Sequence, residues 1–379
     1  MKTTPRPQTC LAAALLLLLN ACTGTIYLPS GDGGQDADAA VLPDGSDESA
    51  DGDTSPGDQP ADNGDQSGGD SDGDGLPDSW EVSAGNPDLL DPHSPDSNAN
   101  GVPDAAEDYD GDGLTNIQEY AAGRLSFLGD ISPPHPLRRD LLVELDCMTD
   151  RCLSAAQLAD AAAAWADVML DNPDGSAGVG LHVVLDETGL TPQRFDGSFE
   201  QRWNYFAAHG PHFDDGGSPP LPLDRFVHVL VVQIRDDLPD RGGDTVAGPG
   251  GQRERAGVFI YHDVIYNLFP ACGRTSPPLW PEITPEEMAT STFVHELGHT
   301  LQLGHDTEVG GGVNPYNVMA VPQSCVEAQM RTHGVDNDDP TLGATAQVGA
   351  ARFSAAAAAL MDFENILSVD TDALEPTEM

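Results

Sequence analysis

Basic residues are scarce in this chain. Only 16 Lys and Arg stand against 63 Asp and Glu in 379 residues, so 16 − 63 = −47. Phosphate backbones and anionic bilayers repel a surface of that charge, which argues against nucleic acid or a bare lipid surface as a partner. Long apolar runs are also missing. The stretch Leu11 to Leu19 falls short of the ~20 residues that a bilayer-spanning helix needs. Aromatics supply 6 % and apolar residues 39 %, a level that suits disorder in one part of the chain and a real core in another. The length leaves room for about two ordinary domains. Six cysteines do not decide the redox compartment by themselves, and that question passes to the N-terminus.

Lys2 and Arg6, then the apolar Leu11 to Leu19, then a small residue before a cut, have the build of an export signal. Leu19-Asn20-Ala21-Cys22 resembles a bacterial lipobox. The resemblance implies a lipoprotein signal peptide over residues 1–22, lipid attachment at Cys22, and a place on the bacterial outer membrane or cell surface, or outside the cell. Contact with the membrane would then be through the lipid anchor only. From Ser30 to Gly69 the chain is nearly all Asp, Gly, Ser, Ala and Pro, without Lys or Arg. Such a segment buries too little to offset its ordering entropy, so residues 23–69 are expected to form a disordered acidic tether.

Beyond it the acid becomes patterned. Asp70, Asp72, Asp74, Asp78 and Glu81 fall at positions 1, 3, 5, 9 and 12 of a loop with Gly75 at position 6. That is the spacing of an EF-hand-type calcium loop, where oxygen ligands surround a hard cation and the glycine permits the bend. The register returns as Asp96, Asn98, Asn100, Asp104 and Glu107 around Gly101, and again as Asp108, Asp110, Asp112, Asn116 and Glu119 around Gly113. Backbone carbonyls of Leu76, Val102 and Leu114 are expected at position 7. The loops resemble the calcium repeats of the thrombospondin type 3 and dockerin families, which implies about three structural Ca2+ ions over residues 70–130. Two Asn ligands lower the charge of the middle loop and should make it the weakest.

A Pro-rich joint, Ile131 to Pro136, leads into alternating strand and helix patterns. Leu141 to Leu145, Val179 to Leu185, Phe226 to Ile234 and Gly257 to Tyr261 read as strands, and Ser154 to Leu170 and Pro285 to Leu303 as helices with Ser154 and Thr284 as caps. The expected fold class is α/β with a mixed α+β sheet over residues 131–379. Gly242 to Gly251 lacks a phosphate-loop ending and is expected to be a loop near the cleft.

Inside the second helix lies His295-Glu296-Leu-Gly-His299, followed by Gln302, Gly304 and His305. His295 and His299 at i, i+4 project from one helix face onto one ion, and Glu296 is placed as general base for a water on it. On an unbroken helix His305 would point ~240° away and ~9 Å further along the axis. The helix must therefore stop first, at Gly304 or at a left-handed residue 302. Downstream, Asn314-Pro-Tyr316-Asn-Val-Met319 is similar to a methionine turn. Together these residues resemble the metzincin zinc peptidases, with the pappalysin-like branch nearest, over Arg138 to Val321. The resemblance implies one catalytic Zn2+ on His295, His299 and His305, peptide hydrolysis with Glu296 as base, Met319 beneath the ion, and an extended polypeptide substrate on an edge strand. Gly257 to Tyr261 is the expected edge. Gln302 departs from the usual glycine. Val321 stands where many relatives carry a substrate-contacting Tyr, which leaves Tyr316 a candidate at the oxyanion.

His135, His182, His209, His212, His228, His262 and His333 lack ligand spacing and read as structural or surface residues. With Cys10 and Cys22 set aside, Cys147, Cys152, Cys272 and Cys325 suggest two disulfides in an exported chain, with Cys147–Cys152 and Cys272–Cys325 preferred among three pairings. The leading expectation is a monomeric, calcium-stabilised zinc endopeptidase. The rival readings are a surface calcium-binding or adhesion lipoprotein whose zinc domain is an inactive scaffold, and a zinc hydrolase of non-peptide amides.

Overall fold

The computed structural model describes residues 69–128, 132–209, 219–236, 242–247, 256–272, 284–305, 318–319, 353 and 355–363. All of these belong to one compact unit, Ser67–Met379. Residues 1–68, where the signal peptide with Cys10 and Cys22 and the acidic tether are expected, lie outside the described residues, as do His212, Tyr316, Val321, Cys325 and His333. Among the described residues no helix is long and apolar enough to cross a membrane.

The protein is mixed α/β. Its centre is a five-stranded sheet of β1 (Asp140–Cys147), β2 (Gly180–Leu185), β4 (Val227–Val232), β6 (Gly243–Ala247) and β7 (Ala256–Tyr261), in the order β2-β1-β4-β7-β6. Four strands run parallel, and β6 alone pairs antiparallel, on β7. Two short strands, β3 (Arg194–Phe195) and β5 (Ile234–Arg235), form a separate parallel pair. The Gly-rich run expected to be a loop thus contributes an edge strand, and Gly257 to Tyr261, expected at the edge, lies inside the sheet. Without β6 in view the chain order places β7 last. The antiparallel return of a glycine-rich segment has too weak a β pattern to foresee.

Period-two alternation divides the sheet into two unlike faces. Leu141, Val143 and Leu145 of β1, Val227, Val229 and Val231 of β4, and Val258 and Ile260 of β7 pack on one side with α3 (Ala155–Ala166) and α6 (Pro285–Thr300). Both helices begin with a capping box, Ser154 with Gln157 and Thr284 with Glu287, which satisfies two amides at each start. The opposite face carries Leu230, Val232, Phe259 and Tyr261 under α4 (Phe199–Ala208), and Leu142 and Val184 against Leu114 and Ala122 of the acidic repeats. It also carries buried polar groups: Asp140 2.6 Å from His182 Nε2 on β2, and Glu144 and Asp146 beside His228 on β4. Burial and the neighbouring Asp146, Asp186 and Glu187 carboxylates push Glu144 up to about 10.

Cys147 and Cys152 are joined by a disulfide across five residues. Of the second preferred pair, Cys272 ends α5 (His262–Cys272), and its partner Cys325 is outside the described residues.

Candidate metal centres

The acidic repeats wind around two short helices, α1 (Asp78–Ala84) and α2 (Asn116–Ala122). Local geometry follows one rule in all three loops. The position-1 carboxylates Asp70, Asp96 and Asp108 accept from the amides of their own loops, at Gly75, Gly101 and Gly113 among others. Those glycines have φ of 105, 93 and 88°, which a residue with Cβ adopts only at a cost. Asp78 and Asp104, expected as position-9 ligands, turn back to accept from the amide and hydroxyl of Ser71 and Ser97. Asp104 additionally forms a three-carboxylate group with Asp74 and Glu81 of the first loop. At position 9 of the third loop, Asn116 donates to the Asp104 carbonyl across the repeats.

The loops differ in what faces their interior. Asp70, Asp72 and Asp74 converge in the first and Asp108, Asp110 and Asp112 in the third. Buried oxygens of Asp72, Glu81, Asp110 and Glu119 have no hydrogen-bond partner. Burial, with Asp74, Asp72 and Asp104 beside it, pushes Glu81 up to about 8. Burial, with Asp140 and Asp108 nearby, pushes Asp110 to about 8 as well, and burial likewise raises Asp112 and Glu119. Crowded carboxylates with these properties suit a hard divalent cation. In the middle loop, Glu107 instead accepts from the amides of Asn98 and Asn100. Position 4 is glycine in the outer loops, with φ 79 and 74°, and is Ala99 with φ 57° here. The third loop is tied to the sheet, since Asp112 Oδ2 accepts from the Asp140 amide of β1 at 2.7 Å.

The second centre stands on α6. His295, His299 and His305 bring one nitrogen each within 4.8 Å of one another, with Nε2 of His295 and His299 3.2 Å apart. His295 Nδ1 donates to the Val318 carbonyl and His299 Nδ1 to the Leu303 carbonyl, each at 2.7 Å. A proton on each Nδ1 leaves the two Nε2 lone pairs facing each other, an arrangement that a shared cation relieves. The donor set therefore fits zinc.

His305 reaches the group because α6 ends early, in the manner the motif requires. Gln302 adopts φ 64°, its amide bonds the His299 carbonyl, and the Leu303 amide bonds that of Gly298. These two bonds are a Schellman ending with Gln302 in the left-handed position. Met319 lies beneath, fully buried, its sulfur against the bare Cα of Gly298. Glu296, 6 % exposed, is held by β6. Thr245 Oγ1 donates to Glu296 Oε2 at 2.8 Å and lies 3.1 Å from the Glu296 carbonyl. A Cβ on Gly243 would stand 2.6 Å from Glu296 Oε1, so only glycine admits that carboxylate.

Residues 70–85 match the family described as the bacterial TSP3 repeat. No curated protein matches the chain. Among solved structures, the chain is similar to the crystal structure of a zinc-dependent peptidase from Methanocorpusculum labreanum (strain Z), at 14 % identity, over 50 % of this chain and 92 % of that one, with a TM-score of 0.32.

Sequence reasoning placed the three histidines, Glu296 and Met319, and missed Thr245 and the role of β6. It also set His228 aside, although mid-strand polar residues at Glu144 and Asp146 share its sheet face. The signal for that cluster is the period-two pattern of polar groups inside otherwise apolar strands.

Proposed function

We propose that this chain is an exported, lipid-anchored zinc endopeptidase of the metzincin type, tethered through Cys22 and stabilised by calcium in its N-terminal repeats. The observation that carries the reading is the convergence of His295, His299 and His305 beside Glu296, with Nδ1 of the first two committed to backbone carbonyls. Support comes also from the left-handed Gln302 and from Met319 under Gly298. When bound, zinc supplies a Lewis acid that polarises a peptide carbonyl and acidifies water. Glu296 then takes the proton of the attacking water and returns it to the leaving amine. Thr245 holds one oxygen of that carboxylate, so its other oxygen is oriented for the transfer. The substrate is an extended polypeptide that pairs with β6, the edge of the described sheet, as an added strand.

The test is cleavage of an unfolded protein by the full chain, with zinc and calcium present, beside Glu296→Ala. Cleavage by the parent alone is expected. Equal turnover in the variant, or zinc bound by a parent that cleaves nothing, would overturn the endopeptidase reading, the latter in favour of a binding scaffold.

A further inference from the structure

On the face of the sheet opposite α6, three side chains meet that the hydrolytic site does not use. Glu144 and His228 are direct partners in the β1–β4 ladder, and Asp146 follows two residues on along β1. All three side chains are fully buried. His228 Nε2 is 3.1 Å from Glu144 Oε2 and 3.0 Å from Asp146 Oδ2, and the three donor atoms lie within 4.8 Å of one another. Ligands of a tetrahedral ion at ~2.0 to 2.2 Å stand about 3.3 to 3.6 Å apart. The spacing therefore needs only a small expansion, as does the 3.2 Å between His295 and His299.

A hydrogen bond from His228 to Asp146 accounts for one edge of this triangle but not for Glu144. Glu144 has only Asp146 and the already engaged His228 Nε2 beside it, and no bonding group from outside the cluster reaches either of its oxygens, which is costly for a buried carboxyl. Among the described residues no arginine pairs with Glu144 or Asp146, and Asp146 has its other oxygen, Oδ1, occupied by the Glu187 amide at 2.8 Å. That bond aims Oδ2 at His228. Phe206 of α4 closes the cluster, its ring centroid 4.4 Å from that of His228.

We propose that Glu144, Asp146 and His228 form a second, structural metal site, which takes a divalent transition metal such as zinc and fastens β1 to β4. One imidazole among carboxylates favours zinc-like ions over calcium or magnesium. Ligands placed on two hydrogen-bonded strands are held rigidly, and a site with no exposed atom takes its ion as the chain folds. It is independent of the peptidase reading, since it shares no residue with the histidine helix.

The test counts zinc in the full chain by mass spectrometry after dialysis in calcium buffer, in the parent, in His295→Ala/His299→Ala, and in that double variant with Glu144→Gln added. The expected contents are about two, one and zero equivalents per chain. A double variant without zinc, or one whose zinc survives Glu144→Gln, overturns the proposal. Should Glu144→Gln fail to fold, zinc-edge anomalous scattering from crystals of the parent decides instead. A peak between Glu144, Asp146 and His228 supports the site, and a peak confined to the three histidines of α6 overturns it.

Discussion

The acidic repeats and the histidine helix both gather candidate ligands around a point, but they do so by different means. The first and third repeats each bring three carboxylates together from five consecutive residues ahead of a glycine bend, and one group, Asp74 and Glu81 with Asp104, crosses repeats. The histidine centre draws two ligands from α6, a third from beyond a left-handed ending at Gln302, and its hydrogen-bonded support from Val318 and from Thr245 on an edge strand. A change in one local loop leaves the others intact, and the middle loop carries Asn98, Ala99 and Asn100 where its neighbours carry carboxylates and glycine. The distributed site depends on long-range contacts at every point, so small changes there should have larger consequences.

The largest effect expected is on turnover. Glu296→Ala should lower cleavage of an unfolded substrate by about 10²- to 10⁴-fold with zinc content unchanged, measured by initial rates and metal analysis. A comparable loss in Glu81→Gln would erase the distinction between the two centres.

Next comes the response of the repeats to calcium and pH. Glu81 sits at about 8 in the metal-free fold against an ordinary 4.5. A raised folded-state value means that its contribution to stability is complete below about 4.5 and is lost as pH rises through about 8. Metal-free repeats should therefore weaken across that window, whereas calcium, which needs ionised ligands, should protect them increasingly. Limited proteolysis of residues 70–119 at pH 5 and pH 8, with and without chelator, reads this out, and equal protection in all four conditions would reject structural calcium.

Backbone strain at the helix end gives a smaller effect. Gln302→Val places a β-branched residue at φ 64° and should cost about 1 to 2 kcal/mol, while Gln302→Gly should stay within about 1 kcal/mol of the parent. Thermal unfolding of the zinc-loaded chain measures both. The most localised change concerns the middle loop. Asn98→Asp with Asn100→Asp removes the amides that Glu107 accepts from and should raise calcium affinity there by about one to two orders of magnitude. Calorimetric titration should then show one additional tight site, and an unchanged titration would mean that carboxylate count does not separate the loops.

Much of the fold and of both centres is legible in the amino-acid sequence. The strands expected over Leu141 to Leu145 and Val179 to Leu185 fall within a residue or two of β1 and β2, because continuous apolar runs between turn residues signal buried strands. The helix expected to reach Leu303 ends at Thr300, where the need to redirect His305 outweighs helical propensity. The strand at Gly243–Ala247 escapes notice because the surrounding glycines hide a β pattern, and Gly243 is what lets Glu296 approach.

What the sequence by itself determined are the candidate ligand types, the loop and helix spacings, and the requirement for a break if His305 is to join His295 and His299, since each is a matter of a few covalent steps along one chain. Tertiary structure alone decided which strand forms the edge, that Thr245 holds Glu296, that Asp112 docks on β1, and that Glu144, Asp146 and His228 share one buried point. Those depend on strand order and register, in which residues tens of positions apart become neighbours through packing that no local pattern encodes.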